Sequence, residues 1–417
     1  MRLRVDDFDW VCRVYPEAHG VASLLSPQGE RSIPYDPIDV VVVGLQLRWR
    51  GVWQRPNHLL SRIARDVPVV VLEEPLVADD PSDLAESFAA DDERIARYGD
   101  VTVVTPRRLA KPSDALDDAA LAAVRSIVGD RRPLVWLYTP MLLALADAFP
   151  GAPIVYDKMD ELAKFAKADA RIAPREAQLL ERADVVFTGG RSLFRTVASR
   201  ARSARCYPSG VDVEHFARAR TSAVHDALAP FAGRPVFGYV GVIDERIDLE
   251  LVDALAQRHP EAVVVMIGPV VKIDPATLPR RDNIAYLGKR EYADLPSLLA
   301  GFDVALMPFA LNEHTENISP TKTLEYLAAG LPVVSTAVAD VVADHADTVF
   351  VARDRDAFLA LVDQARTPDP ARAARADAKA RASTWDAISA AMRDDLRAAG
   401  IDYAAGSPAR KSSAALA

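Results

Sequence analysis

The stretch IDVVVVG (residues 38–44) is followed by Arg55 to Arg65, with apolar Leu59, Leu60 and Ile63 at helical spacing, and then by VPVVVLEE (67–74). A continuous apolar run, rather than an alternating one, is what a strand needs when helices cover both of its faces. The unit recurs: VTVVT (101–105), LVWLY (134–138), PIVYD (153–157) and ADVVFTG (183–189) are separated by longer Ala/Arg/Asp/Leu segments. A second series opens after CYPSGVDVEHF (206–216), with RPVFGYVGV (234–242), AVVVMIG (262–268), NIAYLG (283–288), DVALMPF (303–309), LPVVST (331–336) and TVFVA (348–352). Repeated strand–helix units wind into parallel sheets, so the spacing predicts two tandem, doubly wound α/β domains.

The expected boundaries follow from these runs. Residues 1–34 are an extension without strong periodicity, 35–212 the first domain, 213–233 a connection without a clear strand, and 234–370 the second domain. Residues 371–403 are a helical segment, with Trp385 in STWDAIS, expected to pack across the junction. Residues 404–417 (AAGSPARKSSAALA) read as a flexible tail.

Composition narrows the function. The 417 residues suit two domains. Half are apolar and 26% charged, which excludes collagen, coiled coil and global disorder. A net charge of −9 argues against a nucleic-acid partner, since such binders carry a basic excess. Cys12 and Cys206 are the two cysteines, so no disulfide framework is implied and a reducing compartment is the simpler reading. The N-terminal MRLRVDDFDW lacks the apolar core of a secretory signal. The longest uncharged apolar stretch, Pro133 to Ala146, is shorter than the ~20 residues of a spanning helix, and Pro140 interrupts it. The expectation is a cytoplasmic chain.

The densest chemical signal is ISPTKTLEYLAAGLPVV (318–334). Ser319 suits an N-cap, Pro320 the first helical position, and Gly330 with Pro332 the stop, giving a helix of about three turns. Entered from the carboxyl end of a strand, its amino end offers unpaired N–H groups and a partial positive charge to an anion. Lys322 adds a full charge there, and Glu325, three residues on, shares its face. A cation at the mouth with a carboxylate behind suits phosphates followed by a hydroxylated ring, as in a nucleoside diphosphate. The plainer alternative is a surface salt bridge on a well-capped helix. In GYVGVIDERIDLELV (238–252), a strand reaches Gly241, which permits close approach of a ligand, and Arg246 offers a bidentate phosphate contact. A tight turn with a solvated charged tip explains the same residues.

Two N-terminal clusters carry further chemistry. LQLRWRGVWQRPNH (45–58) carries Arg48, Trp49, Arg50, Trp53, Arg55 and His58, a mixture fit for sugar stacking with a phosphate or for a lipid headgroup. Trp rings tucked into the core are the alternative. VYDKMDEL (155–162) places Asp157, Asp160 and Glu161 just after a strand's carboxyl end, where a carboxylate positions a hydroxyl or acts as a base. Asp157 also suits a helix N-cap. His58 is the best histidine candidate for ligand contact, His215 reads as structural, and His314 in ALNEHTEN (310–317) lies shortly before Lys322. Asp7-Phe8-Asp9 and Asp354-Arg355-Asp356 have D-x-D spacing but are expected by chance among 59 acids, so a metal-independent reaction is expected.

SGVDVEHF, GYVGVIDE, IGP, NIAYLG, LAGFDVALMPF and PTKTLEYLAAGLPVVST, in this order over about residues 206–340, resemble bacterial GT-B glycosyltransferases of the group-1 type, most of all the cell-envelope polysaccharide branch. WQRPNHLLSRIA (53–64) and VYDKMDEL look similar to the same branch. The resemblance implies two Rossmann-like domains, a nucleotide-sugar donor held by the C-terminal one, and a saccharide or lipid-linked acceptor. Retention of anomeric configuration and peripheral contact with the inner membrane face belong to the same expectation. Glu325 matches the acid on the donor ribose and Lys322 a diphosphate-contacting lysine. Arg246 lies near the basic residue after the Gly241 strand, Gly288 to Arg290 where backbone groups hold the base, and Ser319 and Thr321 at the donor end of the helix. Asp157, Asp160 and His58 are the catalytic candidates, and Trp53 and Arg55 the acceptor-binding ones. The sequence departs from the family where Asn317 occupies the first acid of an E-x7-E pattern and Val242 the Arg of the G-R-L turn. A nucleotide-sugar 2-epimerase on the same fold and a non-catalytic nucleotide-sugar binder are the alternatives.

Overall fold

The structure, a computed structural model, describes residues 34–75, 94–106, 118–165, 168–313 and 315–403. The tail, most of the N-terminal extension, Asp7, Asp9 and His314 lie outside the described residues. The apolar runs form the strands of two sheets. The first contains β1 (Val40–Leu45), β2 (Val69–Glu73), β3 (Arg94–Tyr98), β4 (Val101–Thr105), β5 (Pro133–Leu137), β6 (Ile154–Lys158), β7 (Val185–Thr188) and β8 (Ala204–Cys206). Their order is β3-β4-β2-β1-β5-β6-β7-β8, parallel except at the antiparallel β3–β4 edge. Val41 and Val43 of β1 join one buried cluster and Val40 and Val42 another, which is why the strand is apolar at every position. With this sheet go helices α1 (Arg55–Ile63), α2 (Asp118–Val128), α3 (Ala144–Asp147), α4 (Ile172–Arg182) and α5 (Arg191–Val197).

After α6 (Val213–Ala217), the second sheet contains β9 (Val236–Val240), β10 (Val263–Ile267), β11 (Ile284–Gly288), β12 (Val304–Met307), β13 (Val333–Thr336) and β14 (Phe350–Ala352). All are parallel, in the order β11-β10-β9-β12-β13-β14. Its helices are α7 (Leu249–Arg258), α8 (Leu295–Leu299), α9 (Lys322–Ala329), α10 (Ala339–His345) and α11 (Arg355–Ala365). Strand order reverses between β9 and β12, and in such sheets ligands bind in the crevice outside the carboxyl ends at that reversal.

Periodicity draws one helix from 371 to 399, but the chain breaks it in two. α12 (Pro370–Ala382) packs on α9, and α13 (Trp385–Ala398) packs beside α1. Thr384 makes the break: its hydroxyl accepts from the Ala387 amide at 3.1 Å and caps α13. Trp385, Ile388, Met392 and Leu396 then bury themselves with Leu59, Leu60 and Trp136 of the first domain. Among the described residues, no helix is long and apolar enough to cross a membrane.

Candidate functional site

α9 begins later than its capping signature suggests. Thr321, not Ser319, holds the N-cap position; its backbone is already helical (φ −54°, ψ −37°) and its side chain caps nothing. The amides of Thr323 and Leu324 bond back to the carbonyls of Pro320 and Thr321, each at 3.2 Å. Those of Thr321 and Lys322 precede these bonds, where a helix keeps its unsatisfied donors. Gly330, at φ 82°, ends the helix after eight residues. The Val240 amide donates to the Tyr326 hydroxyl at 2.7 Å, pinning α9 to the end of β9. Beside it, Gly241 is at φ 150°, and a Cβ there would lie 2.8 Å from Lys322 Cε and from the Tyr239 hydroxyl. Gly268, at the end of β10, has its missing Cβ only 1.9 Å from the Gly241 carbonyl oxygen. Two bare backbones thus leave room for a ligand at the helix mouth.

A cleft of about 540 Å³ lies there, between the two domains. Gly241, Arg246, Arg290, Ser319, Thr321, Lys322 and Glu325 line it from the C-terminal side, and Trp53, Asp160 and Ser209 from the N-terminal side. Lys322 Nζ sits 5.3 Å from the Phe309 ring and 5.5 Å from the Tyr239 ring, within cation–π range. Burial, and then the nearby Arg246 charge, holds its ammonium below the ordinary lysine value, against the pull of Glu325. Burial likewise pushes the Glu325 carboxyl up, and Lys322 opposes it. Arg246 is held along one edge by buried Asp244, Nη2 to Oδ2 at 2.6 Å and Nε to Oδ1 at 3.0 Å. Asp160 faces it from the other domain; burial raises its carboxyl, while Arg246 and Lys272 lower it.

Comparison with known proteins fits this architecture. Residues 234–366 match the family described as "Glycosyl transferases group 1". The match covers the second sheet and its helices, about a third of the chain. A curated relative, the putative teichuronic acid biosynthesis glycosyltransferase TuaH of Bacillus subtilis (strain 168), is 24% identical over 261 residues. That match spans 58% of this chain and 64% of the relative. Among solved structures, sucrose-phosphate synthase from Thermosynechococcus elongatus aligns over 86% of this chain and 98% of its own, at 16% identity and a TM-score of 0.60. A UDP-forming alpha,alpha-trehalose-phosphate synthase from Burkholderia xenovorans, in complex with glucose-6-phosphate, aligns over 86% and 99%, at 12% identity and a TM-score of 0.61. The fold is the two-domain GT-B arrangement.

Within the matched segment, the structure brings Gly241, Arg246, Arg290, Ser319, Thr321, Lys322 and Glu325 together at the cleft. Gly288 is not among the lining residues; it is the exposed last residue of β11, with a left-handed backbone (φ 67°), and Lys289 and Arg290 after it reach the cleft. Asn317 is buried with its Nδ2 unpartnered, also outside the lining. Neighbouring Glu316 pairs with Lys164 of the other domain at 2.6 Å.

On the N-terminal side several candidates prove to be internal supports. Asp157 is neither an N-cap nor a cleft carboxylate. It lies inside β6, fully buried, and receives Arg55 Nε at 3.0 Å. Arg55 lines the cleft but is 2% exposed: Asp157 holds its Nε, and its Nη1 donates to the Tyr207 carbonyl at 2.8 Å. His58 is buried too, stacked on Trp385 with centroids 4.8 Å apart and accepting from Trp53 Nε1 at 3.3 Å. Burial, then Arg62 and His215, pushes its imidazole down to about 3, a neutral packing ring rather than a base. Trp49 is buried and Arg48 pairs with Glu73 at 3.1 Å. Trp53 (37% exposed), Arg50 and Asp160 line the cleft wall, together with the more deeply buried Trp49 and Arg55. His215 stacks on Tyr292 at 4.2 Å, a packing role.

Sequence reasoning missed Tyr326, Tyr239, Phe309 and Gly268. Tyr326, one residue after Glu325, carried a usable signal, because a polar tip on the buried face of a helix needs a partner. Gly268 had one in a glycine that ends an all-apolar strand. The bracketing of Lys322 by rings from two strands had none in local spacing.

Proposed function

We propose that this chain transfers a sugar from a nucleoside-diphosphate donor to a saccharide or lipid-linked acceptor, in cell-surface polysaccharide biosynthesis. The observation that carries the reading is the juxtaposition of the α9 amino end, Lys322 and, one turn deeper, Glu325 at a glycine-walled cleft. The diphosphate lies against the helix end and Lys322, with Arg246 beside it, and the ribose hydroxyls meet Glu325. As the bond between the anomeric carbon and the phosphate oxygen breaks, negative charge grows on the leaving diphosphate. Lys322 and the helix dipole are already in place to hold it, with no reorganisation required. The acceptor enters over Trp53 and Arg50, and Asp160 orients its hydroxyl toward the anomeric carbon. Transfer needs no metal in this reading, because the cations of the site belong to the chain; retention of configuration and contact with the inner membrane face belong to the same proposal.

Transfer is measured with a panel of nucleotide-sugars and saccharide acceptors in wild type, Lys322→Ala and Glu325→Ala. Lys322→Ala loses a hundredfold or more, matching the ~2.7–4 kcal/mol that removal of one preorganised donor costs. Glu325→Ala loses donor binding, and both variants stay folded by circular dichroism. Full activity in both variants would reject the reading.

A further inference from the structure

We propose that Phe165 is a positioning residue for the donor: its ring, on the N-terminal domain, seats two cations of the C-terminal domain, Arg246, which lines the cleft, and Lys272, which packs on the same ring. The inference rests on the donor reading above. Lys272 Nζ lies 4.2 Å from the Phe165 ring centroid and Arg246 Cζ lies 5.7 Å from it. Both fall inside the ~6 Å over which the ring quadrupole attracts a cation.

The two cations arise from touching segments. Arg246 leaves the turn after β9, and the Val271 amide, next to Lys272, donates to the Ile243 carbonyl of that turn at 3.0 Å. Lys272 has φ 62°, the one non-glycine residue with a positive φ among the described residues. A lysine gains nothing locally from that left-handed backbone, so the surroundings must hold it there. Phe165 is a contact that does so.

The same N-terminal segment touches the donor side at two more points. The Asp160 carboxylate acts electrostatically on Arg246 and Lys272. Lys164 pairs with Glu316 in the loop before α9. Asp244 fixes the Arg246 guanidinium by one edge only, and the Phe165 ring supplies a second contact. Arg246 is therefore set for a diphosphate, with Lys272 as its charged neighbour, only while the two domains are together, and diphosphate affinity depends on a side chain of the domain that does not hold the nucleotide.

The test is isothermal titration of the full chain with UDP and GDP, and with uridine and guanosine as phosphate-free controls. Phe165→Leu keeps the apolar bulk and removes the π face; it weakens diphosphate binding about tenfold and leaves nucleoside binding unchanged. Phe165→Trp, with a stronger π face, retains wild-type affinity. Lys272→Gly suits the left-handed turn, removes only the cation, and shows the same diphosphate-selective loss even if Phe165→Leu fails to fold. Wild-type UDP and GDP affinity in Phe165→Leu or Lys272→Gly overturns the proposal. So does equal loss of nucleotide and nucleoside, or Trp binding worse than Leu, since each marks Phe165 as packing alone. If the wild type itself binds neither diphosphate, the donor reading fails and this inference with it.

Discussion

Lys322 and Glu325 owe their character to burial more than to each other. Burial is the first cause of both shifts, lowering the ammonium and raising the carboxyl, and each partner only partly restores the other. Transfer that needs the Lys322 ammonium therefore declines on the alkaline side at a pH well below that of a free lysine. Arginine stays charged throughout, so Lys322→Arg moves that limb of the pH–rate profile to higher pH while lowering the maximum rate. An unmoved limb would remove Lys322 from the charge balance of the reaction. Both residues were legible in the sequence because their spacing on a capped helix is local. Asp157 and His58 were misread for the opposite reason: their partners Arg55 and Trp385 lie 102 and more than 300 positions away, and no local pattern announces a buried pair. Leaving either charge of Arg55–Asp157 alone in the core would cost about 3–5 kcal/mol.

The strands were legible as apolar runs because sheets covered on both faces demand them. The two exceptions make the same point: β3 reads RIARY on an edge, and β8 is a three-residue strand. The α9 start was misplaced because Ser319-Pro320 has the chemistry of a cap, while tertiary contacts hold Ser319 against the first domain, 2.8 Å from where a Gly190 Cβ would stand. The paired glycines at the ends of β9 and β10 separate stability from binding. Gly268→Ala forces a Cβ into the Gly241 carbonyl at an unfavourable φ of 147°, and destabilises the domain by at least ~2 kcal/mol in urea unfolding. Gly241→Ala meets the movable tip of Lys322, so it loses less stability and more donor affinity. The reverse order would show that the glycines do not shape the cleft as described.

Across the whole chain, the cleft exists because the two domains hold each other closely. The Ser192 hydroxyl donates to Asp340 at 2.6 Å, Arg191 meets Asp344 at 2.6 Å, and the Thr321 hydroxyl donates to Ser209 at 3.1 Å. Trp53, His58 and Tyr292 form an aromatic seam between the halves, and α13 returns from the C-terminal end to close the first domain's core. Tandem domains were readable from periodicity, whereas these contacts, 153 positions apart for Arg191–Asp344 and more than 200 for Trp53–Tyr292, were not. The most direct measurement is a crystal structure of the full chain with UDP or GDP bound. The account predicts the diphosphate at the amino end of α9 within reach of Lys322 and Arg246, and the ribose hydroxyls on Glu325. A nucleotide seated away from α9, or one whose ribose leaves Glu325 untouched, would contradict it.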